Sequence, residues 1–175
     1  MKYSLIHSET IHQGRIFDLR VDTVELPDGQ STRLDIIRHP GAVVVLPLDA
    51  HGNILFVRQY RHAAGVELLE LPAGALEVGE EPQDCALREI REETGMAADE
   101  LRKIGDFYLA PGYSTEHLHI YLASKLRPDP LPGDEDEFLS VESIPVGQAY
   151  TLAEQGEIKD AKTLASLMLA HAYLA

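Results

Sequence analysis

Three glutamates pose the chemical question. Glu89, Glu92 and Glu93 stand close together in the stretch GALEVGEEPQDCALREIREETGM, Gly74 to Met96. Its second half is punctuated as a helix. Pro82 suits a first turn, acidic residues crowd the start, and Gly95 suits the end. At about 100° per residue, Glu89 and Glu93 stack one turn apart and Glu92 lies on the same side. Ala86, Leu87 and Ile90 take a neighbouring arc, so one side is expected to pack while the acids face a cleft. Carboxylates within about 6 Å of each other repel unless protons or cations neutralise them. Mg²⁺ suits such a cluster of hard oxygens, with Mn²⁺ or Ca²⁺ as alternatives. The helix alone also admits a plainer reading, a solvated acidic face with Arg88 and Arg91 as local partners.

The loop in front of the helix separates these readings. Gly74, five residues, Glu80, seven residues, then Arg88-Glu89-Ile90-Arg91-Glu92-Glu93-Thr94-Gly95-Met96 satisfies every defined position of the Nudix box. The chain therefore resembles a Nudix hydrolase, a family that cleaves a nucleoside diphosphate linked to another group. One departure is Glu81 before Pro82. Ser, Thr or Asp would cap more strongly there, which weakens the helix start and leaves the chemistry untouched. A second resemblance narrows the family. Pro111 falls 16 residues beyond Gly95, within Ala-Pro-Gly-Tyr-Ser-Thr-Glu. With FVRQYR before the box and DEDE after it, this is similar to the ADP-ribose pyrophosphatase branch over most of residues 12–145. Hydrolases of other nucleoside diphosphate sugars share much of the pattern.

The resemblance implies a site. The Ala73 carbonyl and the carboxylates of Glu89 and Glu93 would ligate Mg²⁺, and Glu92 would join them or orient the attacking water. Arg88 would hold the cluster by ion pairing. Glu137, with Glu135 as the alternative, would be the general base. Arg33, Arg58 and Arg61 would meet the diphosphate or the adenine. Glu116, after the Pro111-Gly112 turn, would contact the ribose or support the site from behind, and Gly112 would line the same rim. Ile16 would reach the substrate from a partner subunit, because members of this branch are typically dimers with exchanged N-terminal strands. Two other functions stay open: hydrolysis of GDP-mannose or UDP-glucose type substrates, and nucleotide-sugar sensing without turnover.

The elements that must position these groups read as an α/β (α+β) fold, a Nudix-type α/β/α sandwich with a mixed sheet. Residues 1–40 alternate like antiparallel strands but are too few for a core of their own; they are expected to lie against the remainder, 41–175, or against a second copy. GAVVVLPL, from Gly41 to Leu48, reads as a strand buried on both faces, and ILFVRQYR, from Ile54 to Arg61, as its neighbour. Leu101–Leu109, Glu116–Leu126 and Phe138–Ile144 read as further strands. Val146–Gln155 and Lys162–Leu174 read as helices, the second with a stripe of Leu164, Leu167, Met168 and His171. His117 and His119 share a strand face, where packing or hydrogen bonding is the expected role. A formal charge of −14 argues against a nucleic-acid surface and requires local arginines or metal to bind an anionic substrate. No apolar run approaches the roughly 18 residues of a membrane span, and the start has no long apolar core, so the expected location is the cytoplasm. Cys85, the sole cysteine, excludes an internal disulfide and reads as a small packed residue.

Overall fold

A computed structural model describes residues 2–133 and 138–174. Strands β1 (Ser4–Gln13), β2 (Asp18–Glu25) and β3 (Ser31–Arg38) form an antiparallel sheet in that order. The chain divides into two compact units by its internal contacts. One unites residues up to Gly41 with Phe107–Leu118, and the other joins Ala42–Asp106 to the residues from His119 onward.

Within the first unit, the segment after Ala110 is tied to the end of β3. Ile37 N–H donates to the Tyr113 carbonyl at 2.7 Å, Thr115 N–H to the Ile37 carbonyl at 3.0 Å, and His39 N–H to Thr115 Oγ1 at 2.9 Å. Every residue of β1 is exposed, including Leu5, Ile6 and Ile11, each more than half accessible. Such an apolar strand with one unpaired edge invites a further partner.

The second unit is built on β4 (Ala42–Pro47), β5 (Asn53–Arg61), β6 (Val66–Glu70) and the short β7 (Ala73–Ala75). The helix α1 (Pro82–Thr94) follows, then β8 (Met96–Tyr108), β9 (His117–Pro128), β10 (Leu139–Pro145), α2 (Val146–Glu154) and α3 (Ala161–Leu174). Two sheets run in the orders β7-β4-β9-β8 and β10-β5-β6. All six residues of β4 are buried, and the reason lies in what covers it. Side chains alternate along a strand, so Val43 and Val45 pack with Cys85, Ala86 and Ile90 of α1. Val44 and Leu46 take the other face, and α3 also packs against this strand.

Two elements depart from the expected pattern. β8 starts at Met96, directly after the helix, although Met-Ala-Ala-Asp-Glu has helix-forming composition. Pairing in the four-stranded sheet overrides that local preference. In α3 the fully buried residues are Thr163, Ser166, Leu167 and Ala170. Of the expected stripe Leu167 is buried, Leu164 is half-buried and His171 is exposed, while Met168 is 70% exposed beside a groove shared with Tyr150 and Ala153 of α2. Small side chains face the sheet because α3 also presses close elsewhere: a Cβ at Gly105 would stand 2.8 Å from a methyl of Leu169.

These burials carry a stability expectation. Leu46→Ala should cost about 2–5 kcal/mol, the usual range for a fully buried leucine, whereas Met168→Ala should stay within about 0.5 kcal/mol. Denaturant unfolding measures both, and the Met168 variant distinguishes the observed helix face from the one the apolar stripe suggests.

Candidate active site

The helix α1 begins without a side-chain cap. Glu81 is extended at φ −77° and ψ 140°, and Pro82 occupies the first turn, where its missing N–H costs nothing. Gly95 ends the helix at φ 71°, a left-handed conformation that glycine adopts freely, and its N–H donates to the Arg91 carbonyl. The buried side chains of α1 are Cys85, Ala86, Glu89, Ile90 and Glu93, one continuous stripe at helical spacing. Two of the carboxylates thus belong to the packed face of the helix. That excludes the solvated acidic face as the explanation for them.

Burying a carboxylate costs several kcal/mol unless charges and hydrogen bonds compensate, and the compensation here is specific. Arg88 Nη1 donates to Glu89 Oε1 at 2.6 Å and to Glu92 Oε2 at 2.9 Å. Its other edge grips Glu80, from Nε at 2.9 Å and from Nη2 at 3.0 Å. Glu93 Oε2 accepts the Ala73 N–H at 3.1 Å. Glu89 lies so close to the β7 backbone that a Cβ on Gly74 would be 1.9 Å from Oε1 and 2.4 Å from Oε2. Only glycine leaves that carboxylate its place.

Arg88 offsets one of the four charges of Glu80, Glu89, Glu92 and Glu93, so the cluster keeps an excess of negative charge. The Arg88 hydrogen bond, assisted by the Glu77 N–H, holds the Glu80 carboxyl at about 2, far below its ordinary value. Burial pushes the Cys85 thiol up, and it is fully enclosed beside the Ala75 carbonyl. A protonated, enclosed thiol is no nucleophile. Among the described residues no three His, Cys, Asp or Glu side chains converge as a ready-made metal centre. The oxygens of Glu89, Glu92 and Glu93 and the carbonyl of Ala73 are hard donors, the chemical type that Mg²⁺ takes, and the absence of a side chain at Gly74 leaves Glu89 room against the backbone.

The arginines behave differently from one another. Arg61 is clamped by Glu70, from Nε to Oε1 at 2.8 Å and from Nη2 to Oε2 at 2.7 Å, and the charge of Glu93 acts on it. Arg58 lies on the opposite face of β5, where Nε meets Glu142 Oε1 at 2.5 Å. It lines a separate pocket with Gln148 and Leu152 of α2. Arg33, Ile16, Gly112 and Glu116 belong to the first unit. There Arg33 is exposed opposite Thr23, Ile16 is 57% exposed, and the Glu116 N–H donates to Ser114 Oγ at 3.1 Å. His117 stacks on Tyr108 with centroids 4.5 Å apart, a packing role as expected. Glu135 and Glu137 lie outside the described residues. The chain leading to them is held against α1: Asp129 N–H donates to the Gly95 carbonyl at 2.9 Å and Leu131 N–H to the Arg91 carbonyl at 3.3 Å. A Cβ on Gly133 would be 3.6 Å from the Glu92 carbonyl oxygen.

Sequence reasoning missed the group around Glu70. Its carboxylate is 1% exposed and also meets Lys162 Nζ at 3.4 Å. A charged residue inside the apolar run Leu68-Leu69-Glu70-Leu71 was the available signal, since such a residue is rarely buried unless paired.

The Glu80–Arg88 pair yields a pH expectation. A carboxyl whose folded pKa is depressed stabilises fully above its unfolded value, about 4.3. That contribution is lost as pH falls through the folded value of about 2. Wild-type Tm should therefore drop between roughly pH 4.3 and pH 2, and Glu80→Gln should flatten that limb while lowering Tm at pH 7. Thermal unfolding across this range checks it.

Residues 38–167 match the NUDIX domain, and residues 4–34 match the nucleoside diphosphate sugar hydrolase N-terminal domain. An ADP-ribose pyrophosphatase of Bacillus subtilis (strain 168) is 44% identical over 160 residues, covering 90% of this chain and 86% of the relative. One of Mycobacterium tuberculosis (strain H37Rv) is 39% identical over 173 residues, covering 97% and 84%. A GDP-mannose pyrophosphatase of Citrobacter koseri is more distant, 34% identical over 154 residues with 78% and 80% covered. The crystal structure of an ADP compounds hydrolase superposes with a TM-score of 0.87 at 24% identity, covering 99% of this chain and 95% of that one, and establishes the fold. The box helix with its buried glutamates, the fold and the matched domain agree, and the chain belongs to the Nudix family of hydrolases.

Proposed function

We propose that this enzyme hydrolyses the diphosphate of ADP-ribose to AMP and ribose 5-phosphate with Mg²⁺. The observation that carries the reading is the buried Glu89–Glu93 pair, set against the Gly74 backbone and incompletely neutralised by Arg88. Nudix hydrolases generally use divalent metals, and Glu89, Glu93, the Ala73 carbonyl and Glu92 are the groups that would hold them. A divalent ion bound there supplies charge neutralisation for the diphosphate and a bound water of lowered pKa.

The chain's own residues do the rest. Arg88 keeps Glu89 and Glu92 in place. Arg61 has its Nε and Nη2 committed to Glu70 and offers its remaining edge to a phosphate oxygen; a guanidinium matches phosphate geometry well. Glu137, or Glu135, takes the proton of the attacking water. The attachment of residues 129–133 to α1 supports that role, because the acids follow directly in the chain. Arg33, Gly112, Glu116 and Ile16 keep contact roles on the resemblance alone. Arg58, paired with Glu142 across the strand, is left out of the site. The similarity to two ADP-ribose pyrophosphatases at 39–44% identity favours an ADP-ribosyl substrate over GDP-mannose. Intact acidic box positions favour turnover over sensing. The exposed apolar residues of β1 support a homodimer, and the lone reduced cysteine suits the cytoplasm.

Four measurements test this reading. Glu93→Gln should lower kcat by orders of magnitude while the protein stays folded; near-normal turnover at saturating Mg²⁺ would remove Glu93 from the metal site. Glu137→Gln should lose about two to four decades of kcat with little change in Mg²⁺ affinity. Equal loss in Glu135→Gln would leave the base unassigned between them. Finally, kcat/KM should favour ADP-ribose over GDP-mannose and UDP-glucose; a tenfold preference for either rival, about 1.4 kcal/mol of transition-state binding, overturns the substrate and keeps the reaction. Sedimentation should give about twice the 19.4 kDa chain mass.

A further inference from the structure

Glu70 is the centre of a second charged network, of which the reaction scheme uses Arg61 alone. Its buried carboxylate is shared between Arg61 and Lys162. Lys162 Nζ also donates to Asp160 Oδ1 at 2.6 Å. Asp160 Oδ2 caps α3 by accepting the Thr163 N–H at 2.9 Å and the Thr163 hydroxyl at 2.7 Å. Burial would raise the Asp160 carboxyl, but Lys162 and Thr163 outweigh it and hold the group below its usual range. Thr163 Oγ1 then accepts the Leu71 N–H at 2.8 Å. Two cations and two carboxylates alternate along this chain, which links β5, β6 and the start of α3.

Packing alone does not explain the network. Apolar side chains of similar volume often stabilise a protein as well as or better than a buried ion pair. Orientation does explain it, at two points. Lys162 gives Glu70 a second fixed partner, so the carboxylate plane, and with it the Arg61 guanidinium, has one setting. Thr163 pins Leu71, the Val45 N–H takes the Pro72 carbonyl at 2.8 Å, and the Ala73 N–H holds Glu93. The backbone that carries the Ala73 carbonyl is therefore tied at three successive residues. Only the first tie comes from α3.

We propose that Asp160, Lys162 and Thr163 are positioning residues for the hydrolytic site. Lys162 sets Arg61 through Glu70, and Thr163 sets the Ala73 backbone through Leu71. The inference rests on the phosphate role of Arg61 and the ligand role of Ala73 given above. The two arms act on different parameters, the first on substrate binding and the second on metal use.

The test uses the full chain, ADP-ribose and a Mg²⁺ titration, with thermal unfolding to establish the folded fraction. Lys162→Met should raise KM about tenfold with kcat within about threefold, and Lys162→Arg should restore KM. If Lys162→Met does not fold, Lys162→Gln carries the same expectation. Thr163→Val should raise the half-saturating Mg²⁺ concentration about tenfold and lower kcat, and Thr163→Ser should restore both. Arg61→Ala separates the two layers. If it raises KM while the Lys162 variants keep wild-type KM, the positioning proposal falls and the site reading stands. If Arg61→Ala leaves KM unchanged, the role of Arg61 falls and the proposal with it. Variants that lose Tm but retain wild-type kinetic parameters per folded molecule also overturn the proposal.

Discussion

The constraint that governs this structure is the burial of carboxyl groups on the packed face of a helix. Glu89 and Glu93 are 8% and 4% exposed, on the face of α1 that packs. Each must be compensated locally, and each compensation fixes a distance. Glu93 ties the helix to the Ala73 amide, Arg88 ties Glu89 and Glu92 to Glu80, and Glu89 fits against β7 only where position 74 has no side chain. A helix free to slide would break all three. The apolar contacts of Val43, Val45, Cys85, Ala86 and Ile90 hold the helix at the one separation where they are satisfied together. Packing here serves electrostatics.

That arrangement also reconciles a strongly acidic protein with an anionic substrate. The chain carries a net charge of −14, so long-range attraction does not bring a diphosphate in. Binding must come from short-range groups held in place beforehand. Arg88 is fully occupied with carboxylates, and Arg58 is engaged on the far face of β5. Arg61 is left with an edge uncommitted to Glu70 and its orientation already set. Preorganising a guanidinium lowers the entropy lost on each hydrogen bond it forms.

The box was legible in the sequence because its chemistry is local. Glu89 and Glu93 are one helical turn apart, Gly95 ends that turn, and Pro82 starts it, so spacing alone places them on one face. β4 was legible because its apolar run is continuous. What stayed hidden depends on partners distant in sequence. Arg58 and Arg61 look equivalent in FVRQYR, yet alternation puts them on opposite faces, and only the pairing of β5 with β10 and β6 shows which neighbour each meets. Asp160, Lys162 and Thr163 lie about ninety residues beyond Glu70 and Leu71, and no motif joins them. The stripe of α3 misled because small residues, Ser166 and Ala170, are what a close approach to the sheet requires.

The enclosure of Cys85 has a practical consequence. It is the only thiol in the chain, and it lies wholly covered between the box helix and the Gly74–Ala75 backbone. A thiol reagent can reach it only when that backbone lifts from α1. The natural protein thus carries a single built-in label at the seam between the box helix and β7, and the rate of alkylation reports the opening of that seam. Breathing of the site can be timed without introducing any foreign group or changing one residue.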